Sequence, residues 1–97
     1  MNVFIMPSAV IDLHNGYTFY EMQKAGLGNY FQNTLFLEID SLVFFGGIHR
    51  KSFGYHIMLS KRFPFGIYYS KEKNVINIHA VLDCRRDPRW IKKKLQN

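Results

Sequence analysis

At Gly46-Gly47 the hydrophobic pattern of this chain changes period, and that switch limits the folds open to it. Before it, apolar residues recur at helical spacing. Ala9, Leu13, Tyr17 and Tyr20 predict a helix over 9–24, and Phe31, Leu35, Ile39 and Leu42 a second over 29–45. Gly26-Leu27-Gly28 reads as the stop and connector between them, with Glu38 and Asp40 away from the inner stripe. After the switch the period is two. Phe53, Tyr55, Ile57 and Leu59 predict one half-buried strand, residues 65–70 a second, and residues 75–84 a third. On that third strand Ile76, Ile78, Ala80 and Leu82 share one face, and Asn77, His79, Val81 and Asp83 the other.

The two ends complete the frame. Val3-Phe4-Ile5-Met6 fits a short strand ended by Pro7, with Ser8 placed to cap the first helix. Asp87-Pro88 opens a last short helix, with Asp87 as cap and proline where its missing N–H costs nothing. Trp90, Ile91 and Leu95 are placed to dock it back, and Lys92, Lys93 and Lys94 to point outward. The expected class is α+β: an N-terminal strand, an αα-hairpin on a small antiparallel meander, and a short C-terminal helix, in one domain over 1–97.

Charge is divided as sharply as periodicity. Residues 1–48 carry Lys24 against four acidic residues, a net −3; residues 49–97 carry twelve Lys/Arg against three, a net +9. The basic half suggests either an acidic or polyanionic partner or a solvated surface that only aids solubility. The lone cysteine, Cys84, excludes an internal disulfide and a Cys-rich zinc module, which fits a reducing, cytoplasmic setting. The opening residues lack the basic region of a signal peptide, and no apolar run reaches the ~18 residues of a membrane span.

Several segments together resemble the RelE/ParE superfamily of toxins from bacterial type II toxin–antitoxin systems, especially its ParE-like plasmid stabilisation members. They are Ala9-x-x-Asp12-Leu13, Tyr20-Glu21-x-Gln23, Ala25-Gly26-Leu27-Gly28 and Ile39-Asp40-Ser41-Leu42 in the first half. In the second half they are Gly54-Tyr55-His56, Lys61-Arg62-Phe63-Pro64-Phe65, Ile67-Tyr68-Tyr69, and the run from Ala80 to Trp90 that contains Arg85-Arg86-Asp87-Pro88. The resemblance implies a helical hairpin against a small sheet, a cognate antitoxin as partner, and one of two activities. ParE-like members are associated with inhibition of DNA gyrase by protein binding; RelE-like members cleave messenger RNA on the ribosome without metal.

The nuclease pattern is incomplete. Phe65 stands where RelE-like sheets place an arginine, and Trp90 lies where a catalytic tyrosine is expected. An indole donates a hydrogen bond but is neither acid nor base near neutral pH. Arg85 or Arg86 matches the phosphate-stabilising arginine, and His56 or His79 is the available base. The departures favour the gyrase-directed mode and a chain without catalysis. Its target-contact candidates are Arg50, Lys51, Lys61, Arg62, Arg85, Arg86, Arg89, Lys92 and Lys93. Arg85 and Arg86 have a structural reading as well, as ion pairs with Asp83 and Asp87 that fix the last helix. No metal, cofactor or small-molecule ligand is expected. His79, Asp83 and Cys84 lack a recognised ligand spacing, with Cys84 expected to face away from His79.

Overall fold

The computed structural model describes residues 1–96. It runs β1 (Asn2–Ile5), α1 (Pro7–Gln23), α2 (Leu27–Asp40), α3 (Leu42–Phe45), β2 (Lys51–Ser52), β3 (Tyr55–Leu59), β4 (Phe65–Glu72), β5 (Val75–Asp83) and α4 (Pro88–Gln96). The strands form one sheet in the order β1-β5-β4-β3-β2. From β2 to β5 it is an antiparallel meander, and β1 joins parallel to β5. The α+β class and its element order stand as the two periods predict.

Both sheet faces are covered. Against one lie α1 and α2, whose Ala9, Leu13, Tyr20, Phe31, Leu35 and Ile39 pack with Phe65, Ile67, Tyr69, Ile76 and Ile78. Against the other lies α4, whose Ile91 and Leu95 pack with Ile57, Tyr68, Ala80 and Leu82. The single apolar stripe expected on the third strand is therefore divided between two cores. The cause is a register shift: Tyr69 pairs with Ile78 but Tyr68 with Ala80, so His79 is an extra, bulged residue. Past it the alternation inverts, which turns Val81, expected on an open face, into the hairpin core at 1% exposure.

Four local expectations are corrected by identifiable contacts. Pro7 both ends the strand and is the first residue of α1, which makes Met6 the cap position in place of Ser8. The Ser8 hydroxyl instead donates to the His79 carbonyl at 2.7 Å. The predicted second helix starts earlier, at Leu27, and divides at Ser41, whose hydroxyl donates back to the Glu38 carbonyl. Glu38 also leans inward, accepting the Lys61 N–H at 2.8 Å. The strand predicted from Phe53 is a hairpin: Phe53 (φ 56°) and Gly54 (φ 86°) form a two-residue turn joining Ser52 to Tyr55.

The helical hairpin depends on two close approaches. A methyl on Gly16 would lie 2.5 Å from the fully buried Phe31 ring, so only glycine lets α1 sit this near α2. The α2 N-terminus has no side-chain cap of its own; the Glu21 carboxylate of α1 accepts from the N–H groups of Gly26 and Gly28 at 2.9–3.1 Å. Gly16→Ala is expected to cost about 1–3 kcal/mol through overpacking. Glu21→Ala is expected to cost about 1 kcal/mol, the scale of a lost helix cap. Urea unfolding of each variant against the parent measures both.

Candidate functional site

Four basic residues of the second half gather at one end of the sheet. The Cys84 N–H donates to the Pro64 carbonyl at 2.8 Å, tying the turn after β5 to the β3–β4 loop. Lys61 and Arg62 on that loop thereby stand beside Arg85 and Arg86 on the turn. Beneath them is an aromatic cluster in which Phe63 packs on Tyr20, Tyr30 and Phe31 with ring centroids 4.9–5.4 Å apart. Phe65 completes that cluster, 4.9 Å from the Phe31 ring and nearly buried. An arginine there would put an unpaired charge into the core. Arg89, Lys92 and Lys93 are exposed along α4, while Arg50 and Lys51 lie at the β2 edge, opposite β1.

Only part of this charge is free for a partner. Arg85 donates to the Asp83 carboxylate at 2.7 Å and Arg89 to Asp87 at 2.8 Å, each two residues back. The arginine pairing lowers both acids below the ordinary carboxylate range. Asp87 also caps α4, its carboxylate accepting the Arg89 N–H at 2.8 Å. Arg62 donates to the Tyr30 hydroxyl at 3.1 Å. Arg86 has a different partner from the expected aspartate: its guanidinium stacks 3.9 Å from the centre of the Trp90 ring. Lys94 reaches the same ring at 5.6 Å.

That tryptophan lies on a groove of about 340 Å³ between α1 and α4, with Asp12 and Phe19 on one side and Arg86, Trp90 and Lys94 on the other. Leu82 and Phe65 also line it. Asp12 and Lys94 are not among the site residues that the sequence singles out, although Asp12 belongs to the first-helix motif and Lys94 to the lysine run. Lys94 shares the helix side of Trp90 at i+4, a signal hidden within three consecutive lysines. Asp12 accepts the Val81 N–H at 3.0 Å, and burial pushes its carboxyl above the ordinary aspartate value despite that bond and the nearby Lys94 charge.

The two candidate bases are on opposite faces of the sheet. His79 lies on the α4 side, with Nε2 at 2.8 Å from the Ser70 hydroxyl and its ring 4.7 Å from Tyr55. The bulge also brings Cys84 to that side, against the expected opposition, because Cys84 packs with the α4 core. His56 faces the hairpin side, stacked on Tyr69 at 5.1 Å, and its Nδ1 is 2.6 Å from the His49 carbonyl. That contact requires the proton on Nδ1. Beside it the Tyr69 hydroxyl accepts from the Gly47 N–H and is hydrogen-bonded to His49 Nδ1. Among the described residues the polar side-chain contacts of His56 and His79 do not include Arg85 or Arg86.

Over this framework the chain superimposes on one in the structure titled "Chromosomal ParDE TA system from P. aeruginosa", with a TM-score of 0.74. The fold is that of a ParDE toxin–antitoxin chain. The two are 19% identical, and the match covers 84% of this chain and 92% of that one. No family model matches the sequence, and no curated protein matches it. The neighbour agrees with the resemblance carried by the sequence motifs, and no helix among the described residues is long and apolar enough to cross a membrane.

Burial lowers the pKa of His49 and of His79, and for His49 the nearby His56 adds to the effect. The unfolded chain then binds more protons than the folded one between the lowered values and the ordinary 6.5. Stability is therefore expected to fall as pH drops through 6.5, the loss completing below the folded-state values. His79→Gln is expected to reduce that acid sensitivity. Unfolding midpoints at pH 8, 6.5 and 5 test this, and an unchanged pH slope in the variant contradicts it.

Proposed function

We propose that this chain is the toxin component of a type II toxin–antitoxin module, acting in the ParE-like mode by binding DNA gyrase and held inactive by a cognate antitoxin. The observation that carries the reading is the shared fold with a chain of the ParDE system over 84% of the length, joined to the motif series. The site chemistry supports a binding role over cleavage of messenger RNA. His56 and His79 are separated by the sheet, Phe65 is committed to the core, and Trp90 is engaged by Arg86. General acid–base cleavage requires a base and an acid within reach of one phosphate, with a cation on the developing charge.

In this reading the single domain over 1–97 meets its target through Lys61, Arg62, Arg85 and Arg86, flanked by Arg89, Lys92 and Lys93, with Arg50 and Lys51 as a secondary patch. The antitoxin covers apolar surface elsewhere: Leu37 is 71% exposed, Ile48 73% and Phe44 80%, a concentration characteristic of partner sites. Its segment would bring apolar anchors and acidic residues, ordering as it binds.

Induced expression is expected to arrest growth, and co-expression of the neighbouring small reading frame to restore it. The purified protein is expected to block gyrase supercoiling and to leave transcripts intact in a translating extract. Arg62→Glu combined with Arg86→Glu is expected to weaken the supercoiling block by at least tenfold without unfolding the chain. Cleaved transcripts with unaffected supercoiling would move the chain to the ribonuclease class.

A further inference from the structure

The groove between α1 and α4 contains an unused piece of sheet edge. Beyond Ile78, strand β5 loses β1 as a neighbour, because Pro7 turns the chain into α1. Five main-chain groups of β5 from His79 to Asp83 then face the edge that β1 leaves. The His79 carbonyl is taken by the Ser8 hydroxyl, the Val81 N–H by Asp12 and the Asp83 carbonyl by the Arg86 N–H of the following turn. The Cys84 N–H bonds to Pro64, which sets the alternation and directs Ala80 and Leu82 to β4. By that alternation the remaining two, the Val81 carbonyl and the Asp83 N–H, face away from β4, and neither makes a loop or side-chain hydrogen bond among the described residues. Val81, Leu82 and Asp83 all line the groove.

This pair has the geometry of a bracket for one incoming residue. In parallel pairing a residue donates its N–H to the carbonyl before its opposite number and accepts from the N–H after it. Phe4 of β1 sits opposite Asn77 in that way, and the Asn2→Asn74 and Met6→Ile78 bonds show the same phase. A residue opposite Leu82 would donate to Val81 and accept from Asp83. Its side chain would then fall on the α4 side, against Leu82 and Trp90. The segment would continue toward Arg86, which has no ion-pair partner among the described residues; neither has Lys94. The groove's two acids have nearer partners, Asp83 in Arg85 and Asp12 in the Val81 N–H, while Arg86 and Lys94 act on them only through the longer-range field.

We infer that this groove binds an extended peptide segment of a partner protein, added parallel to the β5 edge, with an apolar side chain opposite Leu82 and a carboxylate two residues later at Arg86. Backbone bonds supply the affinity and the alternate side chains the selectivity, as in other strand additions. The inference does not depend on the toxin reading, since the occupant is defined by the bracket and the free cations alone.

The probe is the blocked peptide acetyl-Thr-Leu-Thr-Glu-amide carrying a fluorophore at its N-terminal end, titrated with the full chain. Binding is expected, with perturbation and exchange protection of the Asp83 amide in nitrogen-15 NMR spectra. Methylating the leucine nitrogen removes the donor to Val81 and is expected to abolish binding. Replacing the glutamate by glutamine, or Arg86→Glu in the protein, is expected to weaken it roughly tenfold. The methylated peptide works on the unaltered protein, so the test survives if Arg86→Glu fails to fold. Equal binding of the methylated and parent peptides overturns the inference. So does no binding at millimolar peptide, or NMR changes at β1 or around Ile48 with Asp83 unmoved. A single-stranded oligonucleotide that shifts the groove residues when the peptide does not would replace the peptide with a nucleic acid.

Discussion

The outer edge of β5 is the constraint from which the rest of this fold follows. A strand of nine residues faces a β1 of four, and each N–H or C=O beyond the overlap must find another partner or face water. The chain answers by laying α1 along the uncovered length. Helix residues four apart advance about 6 Å, close to the rise of two strand residues, so Ser8 and Asp12 reach His79 and Val81 in step. Two side chains on successive helical turns thus act as a substitute strand. They also fix the direction of α1, and through Gly16 and Glu21 the position of α2.

The bulge at His79 belongs to the same arrangement. It sits where β1 ends and the α1 contacts begin, and it shifts the phase of β5 by one residue. Without it Ala80 and Leu82 would face the helical hairpin and Val81 would face α4. With it, the hairpin core receives Val81 and the smaller α4 core receives Ala80 and Leu82. A short helix with two buried anchors, Ile91 and Leu95, acquires a floor to pack on, and Trp90 is carried to the rim of the groove.

The fold class was legible because the two periods are long and are separated by Gly46-Gly47, and because Asp87-Pro88 marks a helix start by local chemistry alone. The bulge was not, since no glycine or proline announces it and its residue continues a regular alternation. The hairpin at Phe53-Gly54 was hidden for a related reason: phenylalanine at φ 56° is unusual, and its apolar side chain extended the strand pattern through the turn. Ser8 and Asp12 were misread or passed over because their partners lie 71 and 69 residues away. At the candidate site the cluster of Lys61, Arg62, Arg85 and Arg86 could be named one by one, but its assembly depends on the Cys84–Pro64 bond between two loops.

The net charge of the second half overstates what a partner would meet. Arg85 and Arg89 are each held by a carboxylate two residues earlier, in pairs exposed enough to contribute only about 0–1 kcal/mol to stability. Such pairs order the arginines more than they secure the fold, presenting each guanidinium in a set direction. Arg86 is ordered differently, over the Trp90 ring and without an ion pair among the described residues. A planar cation held on an indole loses little side-chain entropy when a carboxylate arrives, whereas the exposed lysines of α4 must be ordered on contact. Affinity at this end of the molecule should therefore follow the geometry of Arg86 and Trp90 more closely than the total charge. Salt dependence should follow the lysines.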